Sequence, residues 1–232
     1  MKAAIMQPYF LPYVGYFQLI AAVDLFIVYD NIQYTKSGWI NRNRLCRNGE
    51  MVTFSLPLKS ASDHLDVRER ELAADFKREK LLNKIKEAYR PAGQFAAVFP
   101  VIKRIVGFED GNLFRFLRHS IACICDYLDI STEIRISSSI DIDHELKGQD
   151  KVLALCRAVG ADLYVNAIGG MDLYSKDAFR AEGIELQFIR SKPYEYPQSD
   201  RAFLPSLSIL DVMMCNPVDS VRACVAHNYE LV

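Results

Sequence analysis

The sequence lacks the charge excess and the long apolar runs that mark nucleic-acid-binding and membrane-spanning proteins. Its 232 residues hold 28 lysines and arginines against 29 aspartates and glutamates, a formal net charge of −1. Bulk affinity for nucleic acid is therefore not expected. No apolar run approaches the length of a membrane span, and the first residues lack the order of a signal peptide. We expect a cytoplasmic protein that does not insert into membranes.

Cysteine and histidine are too irregularly spaced to suggest a disulfide framework or a metal site. None of the six cysteines belongs to a CxxC pair, and Cys156 and Cys224 fall in apolar helical patterns, where a thiol acts as a small hydrophobe. The four histidines show no metal-ligand spacing. We predict reduced, packed thiols and no metal ligands, and the sequence identifies no cofactor.

Short apolar runs alternate with amphipathic stretches along most of the chain. Half of the residues are hydrophobic and a quarter are charged, as in ordinary globular proteins. Strands are predicted over residues 2–6, 25–29, 133–137, 162–166 and 184–189, with helices between several of them. This order predicts an α/β fold, a Rossmann-like parallel sheet with helices on both faces. We interpret residues 1–232 as a single domain with a helical section inserted near residues 70–130.

The remaining segments have less regular patterns. Residues 31–49 form a long polar stretch that ends in Asn-Gly, and residues 50–58 alternate as a strand does. Within the inserted section, a helix over residues 94–106 is expected to break at Pro100. Ser175 and Gly183 are expected to begin and end a short helix. The C-terminal part is predicted to be helical, with one helix beginning at Pro217.

The opening segment is the most distinctive part of the chain. An apolar strand reaches Gln7 and then an aromatic loop that Pro8 and Pro12 bracket. Two prolines four residues apart fix φ twice and remove two backbone donors, so the segment must be a stiff loop. A stiff loop that holds Tyr9 and leads to Tyr16 is suited to form the wall of a ligand site. The alternative is aromatic packing at a domain edge.

Polar residues follow each predicted parallel strand. Ligands of open parallel sheets bind beyond the carboxyl ends of the strands, so these residues are predicted to share one edge. The groups at that edge are Gln7 and Tyr9; Asp30, Asn31, Gln33 and Tyr34; Ser137, Ser138 and Ser139; Asn166, Gly169 and Gly170; and Arg190, Ser191 and Lys192.

The densest polar cluster follows the second strand and contains the only tryptophan, Trp39. Asn41, Arg42 and Asn43 offer amide and guanidinium groups suited to phosphate, carboxylate or sugar hydroxyls. Tyr34 and Trp39 could stack on a sugar or a base. The alternative is a solvated loop whose tryptophan caps the core.

Other motifs are less specific. Gly169 and Gly170 would let the backbone approach a ligand, as glycines do in phosphate loops, but a simple turn explains them equally well. Residues 137–139 offer hydroxyls without the pairing that marks a nucleophile. His144 is expected to lie in a surface loop rather than to act as a base or a metal ligand.

Two features near the C-terminus are an aromatic loop and a carboxylate within an apolar helical run. The aromatic loop over residues 194–198 is interpreted either as a lid over the pocket or as a segment that ties down the C-terminal helices. Residues 203–205 belong to the same Pro-bracketed pattern. Asp211 lies in an apolar helical run, where a carboxylate needs a partner, and an arginine or a backbone cap is expected.

Taken together, residues 7–17, 24–34 and 39–44 resemble the WbqC-like family. Tyr164, Asn166, Phe179 and the segment over residues 207–211 extend the resemblance over essentially the whole chain. Members of that family often occur among bacterial surface-polysaccharide genes. The resemblance implies a transferase of O-antigen-type biosynthesis that attaches a glycyl or other acyl group to an amino sugar or sugar nucleotide.

A more distant similarity links the opening segment to HxGH nucleotidyltransferases. Tyr13, Gly15 and Tyr16 occupy the place of that motif, without either histidine. A tyrosine cannot carry the positive charge that steadies phosphate during nucleotidyl transfer, so a shared fold would imply different chemistry. Nucleotidyl transfer is therefore the alternative function, and a non-catalytic binding or scaffold protein of a glycan-assembly complex is the third.

The leading hypothesis assigns roles to named residues. Asp30 is the candidate general base, because it ends a buried strand. The expected partner is a small molecule, a sugar nucleotide or amino sugar. The predicted substrate-binding residues are Gln7, Tyr9, Tyr16, Gln33, Tyr34, Trp39, Asn41, Arg42, Asn43, Asn166, Gly169 and Gly170.

Overall fold

The structure, a computed structural model, describes residues 1–198 and 202–232. Its strands are β1 (Lys2–Met6), β2 (Leu25–Val28), β3 (Arg42–Arg47), β4 (Glu50–Ser55), β5 (Glu133–Ile136), β6 (Leu163–Ala167), β7 (Glu185–Ser191) and β8 (Tyr229–Leu231). Its helices are α1 (Val14–Ala21), α2 (Arg78–Tyr89), α3 (Phe95–Val106), α4 (Leu113–Leu128), α5 (Gly148–Val159), α6 (Lys176–Ala181), α7 (Ile209–Cys215) and α8 (Val218–His227).

Within those ranges, six strands form one sheet in the order β5-β2-β1-β6-β7-β8. All of its neighbouring strands are parallel except the last pair, because β8 runs antiparallel to β7. The predicted Rossmann-like α/β fold with a parallel sheet is confirmed. The sequence does not predict β8, because three residues are too few for an alternation to be recognised.

Successive residues of the central strand face two separate cores, as the two-residue period of a strand requires. Ala4 is buried in the core that α1, α4 and α8 cover. Ala3 and Ile5 are buried in the second core, with Leu155 of α5 and Phe179 of α6. Burial on both sides explains why the strands of this sheet read as continuous apolar runs.

The predicted break at Pro100 is wrong, since α3 runs unbroken through it. A proline in a helix interior lacks the N–H that would bond to residue i−4, here Ala96. Pro100 lies on the exposed side of the helix. Val98 and Ile102 bury the opposite side, so packing holds the helix in spite of the missing hydrogen bond.

The sequence pattern predicts no strand within the polar stretch over residues 31–49, and β3 occupies its end. β3 pairs with β4 from Arg42 opposite Ser55 to Arg47 opposite Glu50. Asn48 and Gly49 connect the strands with positive φ angles of 54° and 71°, as a two-residue hairpin turn requires. The Asn-Gly pair at the end of the polar stretch is therefore the turn of a hairpin.

The local predictions for the helices hold in several places. Ser175 accepts a hydrogen bond from the Ala178 N–H at the start of α6, and Gly183 follows that helix with φ +72°. Helices α2, α3 and α4 cover the region where the helical section was predicted, and their buried residues join the core on the α1 face. No helix among the described residues is long and apolar enough to cross a membrane.

Candidate functional site

A cavity of about 900 Å³ opens at the carboxyl ends of β1, β2 and β6. The chain builds β1, β2 and β5 in one direction across the sheet and β6 and β7 in the other. β1 and β6 therefore flank the topological switch point, the usual ligand site of open α/β sheets. Their register contains the pairs Lys2–Leu163 and Ala3–Tyr164, whereas the β1–β2 register continues to Met6. The cavity lies where β1 and β6 diverge.

The structure brings about half of the predicted substrate-binding residues to this cavity. The predicted residues that line it are Gln7, Tyr9, Tyr16, Gln33, Asn166, Gly169 and Gly170. The predicted residues outside its lining are Asp30, Tyr34, Trp39, Asn41, Arg42 and Asn43. The predicted residues that follow β1 and β6 line the cavity. Of the predicted residues that follow β2, Gln33 lines the cavity, whereas the others lie outside it.

Two tyrosines and a glutamine form one wall of the cavity. The Tyr16 hydroxyl donates to the Gln7 carbonyl oxygen at 3.0 Å, and the rings of Tyr9 and Tyr16 lie 5.7 Å apart. Burial raises the pKa of Tyr16 well above its ordinary value, so the phenol stays protonated. Tyr16 thus fixes the loop after β1, and the Gln7 side-chain oxygen accepts the Tyr9 hydroxyl at 3.4 Å within the same wall.

The loop packs tightly against the first turn of α1. A Cβ on Gly15 would lie 2.4 Å from the Tyr13 ring and 2.6 Å from Ser191 Oγ, so only glycine permits this approach. Tyr13, Gly15 and Tyr16 all line the cavity. The segment that resembles the HxGH motif therefore lies at the site, with phenols where that motif carries imidazoles.

A buried polar cluster joins the ends of β2 and β5 beside the cavity. Asp30 is 4% exposed, and its Oδ1 accepts the Ser138 N–H at 2.9 Å and lies 2.8 Å from Ser137 Oγ. Asp30 Oδ2 accepts the Ser138 hydroxyl at 2.6 Å. Ser137 Oγ also lies 2.6 Å from Asn31 Oδ1. Asp30 thus lies behind the cavity wall, and its role as a general base stays a prediction.

Asn31 connects this cluster to the cavity. Asn31 Nδ2 lies 2.9 Å from His144 Nδ1, and both residues line the cavity. The sequence pattern predicts a surface loop at His144. The loop position is right, but its contact with Asn31 also brings the imidazole to the site.

Lys151 is the main residue that sequence reasoning missed. It is 8% exposed, and its Nζ donates to the carbonyl oxygens of Asn31 at 3.3 Å and His144 at 3.1 Å. Burial lowers its pKa, while the Asp66 carboxylate opposes this shift. A cation in the first turns of a helix is unfavourable, so a lysine at the start of the apolar run of α5 is a recognisable anomaly.

The other charged groups around the cavity suit an anionic ligand. Arg68, Lys147 and Lys151 line it, with Asp66 and Glu145 as the acidic residues. Neither α1 nor α5 has a side-chain cap at its N-terminus, so backbone N–H groups and positive helix-dipole ends face this region. No group of metal-ligating side chains occurs in the part of the chain that the structure describes.

The predicted cluster around the tryptophan forms a separate, exposed patch. Trp39 is 41% exposed, with the guanidinium of Arg44 4.8 Å and that of Arg42 5.8 Å from its ring. Arg42 also donates to the carbonyl oxygens of Gly38 and Ser37. The Trp39 patch could stack on a sugar, and its role in substrate binding stays a prediction.

The amides of this segment support the fold around the site. Asn41 accepts from the Tyr34 hydroxyl at 2.9 Å and donates to the Leu56 carbonyl at 2.8 Å. Asn43 donates to the carbonyls of Phe10 and Leu11 at 3.2 and 2.8 Å. The Asn43 contacts join the hairpin to the Pro-bracketed loop, and both amides are engaged within the protein.

Asp211 has different partners from those expected. Its carboxylate accepts the hydroxyls of Tyr89 at 2.7 Å and Tyr196 at 2.8 Å and the amide of Gln198 at 2.9 Å, in place of the expected arginine. Burial raises its pKa. Tyr196 and Gln198 thus tie the loop over residues 194–198 to α7, the second of its two predicted roles; residues 199–201 lie outside the described residues.

Comparison with known proteins agrees with the resemblance noted in the sequence. The chain is 30% identical over 229 residues to the uncharacterized protein Rv1507c of Mycobacterium tuberculosis, covering 96% of this chain and 98% of that protein. No solved structure matches the chain. A family model described as WbqC-like matches residues 7–223. The chain belongs to the WbqC-like protein family.

Proposed function

We propose that this protein is a transferase of bacterial surface-polysaccharide biosynthesis, of the O-antigen type, which attaches a glycyl or other acyl group to an amino sugar or sugar nucleotide. The observation that carries the proposal is the cavity of about 900 Å³ at the switch point of the sheet, the size class of small-molecule sites. The family resemblance supplies the glycan context. The cytoplasm is the proposed compartment.

The charges and rings of the cavity suit the two halves of a sugar nucleotide. Lys151, Arg68 and the N-terminus of α5 would bind its phosphate groups. Tyr9 would pack against the sugar, and Gln7 and Asn166 would hydrogen-bond to hydroxyl or amino groups. The same cationic side of the cavity could hold the phosphates of an activated donor.

Ligand binding by the purified protein tests the proposal directly. Titration calorimetry would compare a uridine-diphosphate amino sugar, a nucleoside triphosphate with Mg²⁺, a coenzyme A thioester and a free amino acid. We expect binding of the sugar nucleotide that Lys151→Met and Arg68→Ala each weaken at least tenfold, about 1.4 kcal/mol. Arg47→Ala is the matched control, because Arg47 pairs with Glu87 away from the cavity.

A mass-spectrometric turnover assay with the bound ligand then separates catalysis from binding. A gain in mass equal to an acyl group supports the transferase. Binding of the sugar nucleotide without turnover would favour the non-catalytic binding or scaffold protein. If the uridine-diphosphate amino sugar does not bind, the proposal is contradicted.

Nucleotidyl transfer is the second candidate, and one observation favours it. Tyr13 and Tyr16 line the cavity at the N-terminus of α1, where an HxGH-type motif would meet a triphosphate. Binding of the triphosphate with Mg²⁺ in preference to the sugar nucleotide, followed by release of pyrophosphate, would support this candidate. The Tyr13→Phe variant should then lose affinity for the triphosphate.

A further inference from the structure

The hydrogen bonds behind the cavity wall determine which ring nitrogen of His144 can accept a proton in the cavity. We propose that Asp30, Ser137 and Asn31 hold the imidazole of His144 with its proton on Nδ1, so that unprotonated Nε2 acts as the general base. This inference rests on the proposed function, because it assigns the base of that transfer. In it, Asp30 is a positioning residue and His144 is the catalytic residue.

The Ser137 hydroxyl has one hydrogen to share between two short contacts. Its hydroxyl oxygen lies 2.8 Å from Asp30 Oδ1 and 2.6 Å from the side-chain amide of Asn31. An ionised carboxylate only accepts hydrogen bonds, and a serine hydroxyl has one hydrogen to donate. If both neighbours were acceptors, one of these short contacts would hold two oxygens together without a hydrogen.

The side-chain amide of Asn31 can satisfy both contacts in the reverse orientation. The oxygen and nitrogen of an asparagine side chain are distinguished only by their hydrogen bonds. With the Asn31 amide rotated by half a turn, its nitrogen donates to Ser137 Oγ, and Ser137 donates to Asp30. Ser137 Oγ also accepts the Asp30 backbone N–H at 3.3 Å. The hydroxyl then makes one donated and two accepted bonds, its full capacity.

The orientation of the Asn31 amide determines which nitrogen of His144 carries the proton. After the rotation, the Asn31 oxygen faces His144 Nδ1 at 2.9 Å, and this contact requires a proton on Nδ1. A neutral imidazole with a proton on Nδ1 has its lone pair on Nε2. The described residues give the His144 ring no hydrogen bond besides the one to Asn31. Nε2 lies on the far side of the ring from that bond.

Burial and backbone contacts make this arrangement rigid. Ser137 is fully buried and Asp30 nearly so, so water does not compete for their hydrogen bonds. Lys151 Nζ binds the backbone oxygens of both Asn31 and His144, which holds the two residues together. The cavity side of the cluster consists of Asn31 and His144.

The arrangement supports acyl transfer to an amine. As the substrate nitrogen bonds to the carbonyl carbon of an activated donor (a thioester or a mixed anhydride), its proton moves to His144 Nε2. The bond between the carbonyl carbon and the leaving group breaks, and the leaving group keeps the electron pair. The imidazolium then returns the proton to the leaving group, which restores the neutral base.

The tautomer of His144 can be measured without any substrate. Long-range proton–nitrogen spectra of ¹⁵N-histidine-labelled protein distinguish a protonated from an unprotonated ring nitrogen, and His144→Gln identifies the resonances. We expect a protonated Nδ1 and an unprotonated Nε2 in the neutral ring. A neutral ring with its proton on Nε2 would overturn the inference.

Variants test whether the relay fixes this tautomer. Asn31→Leu and Ser137→Ala should each give a mixture of the two tautomers. Ser137→Thr, which keeps a hydroxyl at this position, should retain the Nδ1–H form. Ser139→Ala is the control, because the Ser139 hydroxyl is exposed and donates to the Ile136 carbonyl. Unchanged spectra in both relay variants would contradict the proposed positioning. If Asn31→Leu fails to fold, the Ser137 pair still decides.

Kinetics complete the test once a substrate is known. His144→Gln should lower kcat on the order of 10²- to 10⁴-fold, the usual contribution of a general base, with little change in ligand affinity. Unchanged kcat would overturn the catalytic role. The failures are distinguishable, since a wrong tautomer leaves ligand binding intact, whereas absent sugar-nucleotide binding defeats the proposed function without affecting the spectra.

Discussion

At the scale of single residues, the two glycines after β6 have opposite surroundings. A Cβ on Gly170 would lie 2.4 Å from Asn166 Nδ2, whereas a Cβ on Gly169 would meet nothing within 4 Å. Gly170→Ala should therefore displace the Asn166 amide and lower the free energy of unfolding by about 1–3 kcal/mol. Gly169→Ala should change it by less than about 0.5 kcal/mol. Urea unfolding of both variants measures the difference, and equal effects would contradict the contact.

Asp30 supports the site whether it acts as a base or as a positioning group. In Asp30→Asn, an amide nitrogen would face the hydrogen-bond donors of Ser137 or Ser138. We expect a loss of about 1–3 kcal/mol of unfolding free energy, a folded chain, and no turnover. Asp24→Asn is the control, because Asp24 is exposed and accepts from the Lys2 N–H near the start of β1. Full activity of Asp30→Asn would contradict both roles.

The residues that could be predicted for the cavity are those that directly follow apolar strands. Gln7 and Asn166 are examples, because the end of a buried strand fixes where the next side chains lie. Arg68 and Lys151 were missed, since they come from a distant turn and a helix whose approach to the cavity depends on tertiary packing. The spacing of a single sequence contains no direct information about that approach.

At the scale of elements, the β3–β4 hairpin supports the opening loop through Asn43. Asn43→Ala should leave the Phe10 carbonyl without this donor, at a cost of about 1–3 kcal/mol. The Leu11 carbonyl loses less, because it also accepts the Ser208 hydroxyl at 2.7 Å. Asn83→Ala on the exposed face of α2 is the control. Denaturant unfolding that does not distinguish the two variants would contradict the supporting role.

Helix α3 tolerates a proline that its packing compensates. Pro100→Ala would restore a helical hydrogen bond at an exposed position, so the free energy of unfolding should rise, by up to about 3 kcal/mol. The gain is reduced by the greater freedom of the unfolded chain without proline. Thermal and urea unfolding measure it, and a loss of stability would show that the proline is needed for the path of α3.

The elements were predictable where burial imposes a clear pattern. β1, β2 and β6 are apolar runs because both faces of the sheet are covered. β3 escaped prediction, since its sequence places Arg42, Asn43 and Arg44 in succession and only tertiary contacts distinguish the buried Asn43 from its neighbours. The continuity of α3 was not predicted, because a proline breaks a helix by local propensity and burial of the helix in the core overrides that propensity.

At the scale of the whole molecule, buried thiols report global unfolding. Burial raises the pKa of Cys125 and Cys156 to about 12, and the thiolate is the reactive form. Iodoacetamide at pH 8 should therefore alkylate these two residues slowly in the native protein. Their rates should rise with the unfolded fraction in urea. Peptide mass spectrometry measures this, and rapid alkylation in native buffer would contradict the burial.

The position of β1 in the sheet has a consequence for biosynthesis. β1 is synthesised before the other strands of its sheet, yet one of its two neighbours, β6, begins only at residue 163. A nascent chain can pair β1 with β2 early, but the other edge of β1 stays open until β6 has left the ribosome. The two sides of the switch point therefore meet late in folding. An incomplete chain would expose an apolar strand edge, the kind of surface that chaperones protect.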